Sequence, residues 1–322
     1  MANKAVKIKA INTEGDSIEF SFYVDPTNLN QQTQIESWSI TSSKGEYLTI
    51  NCGEDNILRS ESGSIITFDG IIPRDERLKN QIAGILNKFR FSVDYLGAVR
   101  ELPKRDYRLH DDKNNLVGSR GEYAYDFLIE DKLNGSGQLL DAVSSWYETT
   151  FDGWKINIDP THSPVYYIEM QHKNLKNNIL DTGAGIAQSM PVIIAATMKT
   201  DNEVGLNIFE EPETHLHPAA HAEMIEYIAS KIKLNNKLSL IETHSLNFIL
   251  RLRLMVANGE LNSEDVALYY VDFNKENGVS NLKEVTIKDD GSVSEWPNDI
   301  FNEALEETLK IRNAQMQKKD KI

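Results

Sequence analysis

The chain has 322 residues, with 34 Lys and Arg against 49 Asp and Glu, and a net charge of -15. That carboxylate surplus favours solubility and argues against a non-specific grip on nucleic acid, which needs clustered cations to displace counterions, so any nucleic-acid contact would have to be local. The hydrophobic fraction is 40%, and Cys52 is the single cysteine. These values describe a globular chain with no internal disulfide. No apolar run reaches the roughly 18 residues of a membrane span and no secretory pattern opens the sequence, so the expected location is the cytosol, with no membrane partner.

Residues 1–90 predict an antiparallel β subdomain. Ser17-Ile18-Glu19-Phe20-Ser21-Phe22 places apolar residues at every second position, as a half-buried strand does. Similar short runs lie at 47–52 and 64–68 between Gly, Asn and Asp turn signals, and Leu78, Ile82 and Leu86 predict a helix over 77–89. Residues 91–177 predict a mixed α/β helical insertion, with a strand over 91–95, a helix over 139–147 and a strand over 165–170. Within it Arg100, Lys104, Arg105 and Arg108 gather, which reads as a solvated basic loop.

From residue 178 the pattern is clearer. Helix is expected over 187–198, strand over 206–209, helix over 219–234, strand over 238–241, helix over 246–256 and strand over 267–271. This alternation predicts an α/β lobe over 178–290, with a mostly parallel sheet flanked by helices. Tyr269, Tyr270 and Phe273 read as strand and core residues, and 291–322 as a C-terminal extension with an amphipathic helix over 298–318.

Three segments carry candidate chemistry. Leu206-Asn207-Ile208-Phe209-Glu210-Glu211-Pro212 is a mostly apolar strand ending in two carboxylates, with Asn207 as the polar exception. Ligands of open parallel sheets sit at the carboxyl ends of strands, although a surface Glu-Glu pair has the same spelling. Ile241-Glu242-Thr243-His244-Ser245 likewise follows an apolar strand, and its histidine reads either as a phosphate sensor or as an ordinary loop residue. Thr182-Gly183-Ala184-Gly185 opens a helix, where backbone N–H groups can face an anion or simply form a turn. His215 and His217 near three glutamates also allow a metal reading, but their spacing is not the i, i+4 of helical ligand pairs.

The succession of glycine turn, strand with Glu-Glu-Pro and strand with Thr-His-Ser resembles the C-terminal lobe of ABC-type AAA family ATPases. It is most similar to the branch related to SMC and overcoming-lysogenisation-defect (OLD-like) proteins. Glu210 to Pro218 spells Glu-Glu-Pro-Glu-x-His-Leu-His-Pro, and weaker similarity lies at Tyr95 to Arg100, Val117-Gly118 and Gly121-Glu122. The resemblance implies ATP and Mg2+ as cofactors. It implies Glu210 as the Walker B acid on the metal, and Glu211 and His244 as catalytic glutamate and switch histidine. Nucleotide contacts would come from Thr182, Gly183, Gly185 and Gln188 around the signature loop and from His217 in the D-loop. The sequence contains no Gly-x-x-x-x-Gly-Lys-Ser/Thr. The expectation is therefore an oligomeric composite ATPase whose phosphate-gripping Walker A loop comes from a second subunit, beside a nuclease or other effector in an anti-phage defence or DNA-maintenance complex. The alternative is an inactive ABC-like scaffold that binds an effector.

Overall fold

The computed structural model describes residues 6–24, 33–45, 47–53, 57–69, 72–89, 91–109, 115–200, 204–294 and 310–312. They fall into two compact units, Met1–Phe91 and Ser92–Ile322. The helix expected over 298–318 lies outside the described residues apart from 310–312, which are helical.

The first unit is an antiparallel meander of β1 (Val6–Ile11), β2 (Ser17–Val24), β3 (Thr33–Thr41), β4 (Tyr47–Cys52) and β5 (Leu58–Ser60), adjacent in chain order. Alternation sets its register. Ile18 stands opposite Ile40, and Phe20 opposite Trp38, which in turn faces Ile50. Ile18, Trp38, Ile40 and Ile50 are buried together with Ile66 and Ile82. The short pair β6 (Phe68–Asp69) and β7 (Ile72–Pro73) precedes α1 (Glu76–Leu86). The Asp75 carboxylate caps α1 by accepting from the N–H groups of Arg77 and Leu78. Where a strand was expected over 64–68, Ile65 makes a single bridge to Arg59.

The second unit is mixed α/β. Its elements are β8 (Phe91–Leu96), α2 (Ala124–Leu133), α3 (Gln138–Thr150), β9 (Lys155–Asp159), β10 (Tyr167–His172), β11 (Leu175–Asn178), α4 (Ala184–Thr197), β12 (Val204–Glu210), α5 (Pro218–Asn235), β13 (Lys237–Glu242), α6 (Leu246–Ala257), β14 (Leu268–Asn274) and β15 (Val279–Val285). Helix α4 is mostly apolar, and every residue from Ala187 to Ala196, Gln188 and Ser189 included, is buried, as in a helix at the centre of a core. Leu128, Val143, Tyr147, Ile168, Phe209, Met224 and Phe248 share its core cluster.

The sheet that carries the candidate residues is small, with order β13-β12-β8. β12 and β13 run parallel, with Phe209 opposite Ile241 and Glu210 opposite Glu242. The expected mostly parallel sheet is otherwise replaced by antiparallel pairings: β9 with β10, β10 with β11, and β14 with β15. Strand β14 joins this hairpin and not β13. Its alternating burial is the pattern of a strand with one solvated face. Tyr269 and Phe273 consequently lie exposed on the hairpin and not in the core.

The polar exception in β12 has a structural reason. Asn207 is buried beside Lys237 of β13, whose ammonium donates to the Ala195 carbonyl at 2.7 Å and to Asn207 Oδ1 at 3.4 Å. Burial pushes the Lys237 ammonium down to about 8, and the charge of Asp94 only partly opposes this. Asp94, buried on β8, is pushed upward by the same desolvation. The folded state therefore releases the Lys237 proton more readily than the unfolded chain, whose lysine titrates near the ordinary 10.5. This group weakens the fold most below pH 8, and stability recovers as pH rises from about 8 towards 10.5. Urea unfolding at pH 7.5 and 9.5 should show wild type gaining ~2 kcal/mol relative to Lys237→Met across that window. A difference that stays constant or shrinks with pH contradicts the assignment.

Candidate functional site

Strand β12 delivers Glu210 and Glu211 to the carboxyl end of the sheet. Tyr95 at the end of β8 donates its hydroxyl to Glu210 Oε1 at 2.8 Å, and the Ala98 amide donates to Oε2 at 3.4 Å. The hydrogen bond to this carboxylate, with desolvation behind it, pushes the Tyr95 phenol upward. Glu211 takes a left-handed backbone, φ 41°, a region that L-residues enter at a cost. Its amide donates to the Glu242 carbonyl at 2.9 Å, tying the turn to β13. Thr214 Oγ1 donates to Glu211 Oε2 at 3.0 Å, and Glu211 Oε1 lies 3.9 Å from His244 Nε2. The two residues named as catalytic from the sequence therefore meet, one after β12 and the other after β13, both open to solvent.

A residue read from the sequence as part of a solvated loop holds this turn from beneath. Arg100 is 4% exposed. Its Nη2 donates to the carbonyls of Glu210 and Glu211, each at 2.9 Å, and its Nη1 donates to the Gln188 carbonyl at 3.4 Å. Burial draws the guanidinium down to about 10, against the pull of Glu213 and Glu211, so it stays charged at neutral pH. The Arg100 segment is pinned in turn, because Gly97 N donates to the Ser119 carbonyl and Glu101 N to the Arg120 carbonyl. Of the other basic residues, Arg105 pairs with Asp181 through both guanidinium branches.

The glycine turn before α4 lies against the turn after β12. Gly185 packs so tightly on the His215 carbonyl that an added Cβ would stand 2.5 Å from that oxygen. Gly183, the N-cap, has open space around it. Thr182 Oγ1 donates to the Ile179 carbonyl at 2.7 Å, closing the short 3-10 turn Ile179–Asp181. Gln188 is 5% exposed and its amide donates to the Glu101 carbonyl, so it faces the protein interior. His217 caps α5, its Nδ1 accepting from Ala219 N at 3.3 Å. Sequence reasoning passed over His221, which bridges Ser245 Oγ at 2.8 Å and the Leu216 carbonyl at 3.1 Å. It also passed over the structural part of Glu213, which accepts from Thr243 and from the His244 amide. The one signal for both was their spacing inside the Glu210 to Pro218 segment and the helix that follows it.

Glu210 offers oxygen donors, and each of its oxygens receives a single hydrogen bond. This suits a hard, water-rich cation such as Mg2+. Among the described residues no group of three His, Cys, Asp or Glu side chains is placed to hold a metal ion. No helix among them is long and apolar enough to cross a membrane.

The two glycines should respond differently to substitution. Gly185→Ala must push α4 away from a backbone carbonyl and should cost about 1–3 kcal/mol. Gly183→Ala, with an ordinary backbone and free space, should stay within about 0.5 kcal/mol of wild type. Denaturant midpoints of the two variants test this, and equal shifts would refute the close approach.

Residues 6–249 match the family described as AAA ATPase domain, and residues 261–311 match one described as a protein of unknown function (DUF3696). No curated protein matches the chain. Among solved structures, similarity extends to an SMC ATPase from work on ATP-driven dimerization and DNA-stimulated activation, at 11% identity and TM-score 0.37, covering 59% of this chain and 97% of that one. The SMC head domain from Thermotoga maritima aligns at 9% identity and TM-score 0.37, covering 84% of this chain and 75% of that one. An Smc head domain derived from Pyrococcus furiosus, bound to the C-terminal domain of ScpA, aligns at 10% identity and TM-score 0.38, covering 94% and 80%. The match over residues 6–249 is far more than half of the chain, and the chain belongs to the AAA ATPase domain family.

Proposed function

We propose that the chain supplies the hydrolytic half of a composite ATPase site at the carboxyl ends of β12 and β13. The observation that carries this reading is the 3.9 Å approach of Glu211 Oε1 to His244 Nε2. It sets a carboxylate and an imidazole together at the edge where an open sheet receives ligands. Glu211 orients the attacking water and accepts its proton. His244 would hydrogen-bond an oxygen of the terminal phosphate, and Glu210 would hold Mg2+. When bound, Mg2+ would neutralise charge on the phosphates. The amides at the start of α4, with Thr182, Gly183 and Gly185, face the nucleotide of a second lobe, with His217 at the crossing turn. Gln188 supports this surface from inside through its carbonyl and is not a direct contact.

The phosphate-gripping lysine and glycine loop come from sequence outside these 322 residues, since no Gly-x-x-x-x-Gly-Lys-Ser/Thr occurs within them. This same feature favours the second reading, an ATPase-like scaffold that binds an effector without turnover. The setting that the sequence resemblance implies, an anti-phage or DNA-maintenance assembly with a nuclease or other effector, belongs to the proposal. A net charge of -15 makes a protein partner the better expectation than bulk DNA.

ATP turnover should be measured for the purified chain, alone and mixed with the product of the neighbouring gene. The expected result is turnover in the mixture that falls at least about a hundredfold with Glu211→Gln, the scale of a lost general base. Absence of both turnover and nucleotide binding in every mixture would leave the scaffold reading.

A further inference from the structure

The switch segment Thr243-His244-Ser245 poses a mechanical problem. The His244 imidazole is 77% exposed and makes no hydrogen bond among the described residues. An exposed ring cannot hold its own orientation, so its position relative to Glu211 depends on what fixes its backbone. We propose that Glu213 is the positioning residue for His244, clamping the turn after β13 onto the turn after β12. This rests on the reading of Glu211 and His244 as the reacting pair.

Glu213 is 6% exposed. One of its oxygens, Oε1, accepts from Thr243 Oγ1 at 2.6 Å and from the His244 amide at 3.0 Å. Thr243 Oγ1 accepts in turn from the Ser245 amide at 3.0 Å. A single carboxylate oxygen therefore organises three consecutive residues. His221 closes the segment from the other side through Ser245 Oγ, which also caps α6.

A neutral side chain could close such a loop, so the charge itself needs a reason. A buried carboxylate carries a large desolvation cost unless its charge is matched. The buried cation nearest in the fold is Arg100, which grips the carbonyls of Glu210 and Glu211, on the turn that carries Glu213, and of Gln188, and feels the pull of Glu213. Among the described residues, Glu213 Oε2 and Arg100 Nε are both buried without a hydrogen-bond partner. Glu213 thus holds the His244 backbone and itself stands on the turn that Arg100 ties to α4.

Two measurements on the full chain test this. In the first, amide hydrogen exchange is followed over residues 243–245 in the free chain, a readout independent of ATP chemistry. Glu213→Gln, nearly isosteric, and Thr243→Val, which leaves the charge in place, should each raise exchange there by about tenfold or more while the thermal midpoint stays within a few degrees. Exchange unchanged at these amides overturns the proposal. In the second, kinetics of the assembled ATPase should show kcat reduced about a hundredfold by Glu213→Gln with KM for ATP within threefold, the signature of a misplaced catalytic group. Equal loss of kcat, KM and thermal midpoint would mean that Glu213 only supports the fold. If wild type turns over in no mixture, the ATPase reading fails, and the exchange result still decides whether Glu213 clamps the segment.

Discussion

A guanidinium has five N–H donors and no acceptor, so one buried in a protein must find carbonyls or carboxylates, or remain at great cost. Arg100 finds three carbonyls, one on α4, one on the last residue of β12 and one on the residue that follows it. The carbonyls after a parallel strand are left without ladder partners where the chain turns away. The cation satisfies them and fixes the turn in one stroke. With Glu210 and Glu211 fixed at the backbone, Tyr95 and Ala98 can aim one carboxylate and Thr214 the other. The same turn brings His215 to Gly185, so the start of α4 and the carboxylate pair form a single packed surface.

The cost of that arrangement is visible in the backbone. Glu211 and His215 both sit at positive φ, 41° and 71°. Left-handed conformations of residues with side chains persist only where the surroundings over-determine them. Here the surroundings are the Glu211 amide on the Glu242 carbonyl, the Arg100 contacts and the capped start of α5 at His217 and Pro218. Strain held by a buried cation at a strand end, beside an imidazole and open to solvent, is easier to explain as preorganisation for a ligand than as an accident of loop closure.

The sequence made the strand-helix succession after residue 178 legible because each element has a clean period and a distinct cap. β12, α5, β13 and α6 lie where the spacing predicted, within the few residues by which ends fray. The meander of the first unit was legible for the same reason, through alternation. Pairing was not legible. Strand β14 has the length and apolar content of another parallel strand, and only its partner β15, a mostly exposed strand of weak pattern, settles that it forms a hairpin. Helix α2 was missed because Phe127 and Leu133 carry apolar character beyond the buried face of Ala124, Tyr125, Leu128 and Ile129 and blur its periodicity. At the site, Glu210, Glu211 and His244 could be named from their place after apolar runs. Arg100 could not, because four basic residues within nine positions look alike until burial separates the one that meets carbonyls from Arg105, which meets Asp181 at the surface.

The polar residues of this sheet fall into two groups along its length. At the carboxyl end, Glu210, Glu211 and Glu242 bring three carboxylates to the ends of β12 and β13. Further back, Asn207, Asp94 and Lys237 form a buried polar cluster that bonds the Ala195 carbonyl of α4. Helix α4 is therefore held to the sheet at two points along its length, by Lys237 and Asn207 near its end and by Arg100 at Gln188 near its beginning. Apolar packing alone would let such a helix slide, because one buried methyl contact is much like the next. Two directional anchors fix its register, and with it the distance from the glycine turn to the carboxylates. A site assembled from the start of a helix and the ends of two strands depends on that register, which is why charged and amide groups stand where sequence pattern alone would place aliphatic ones.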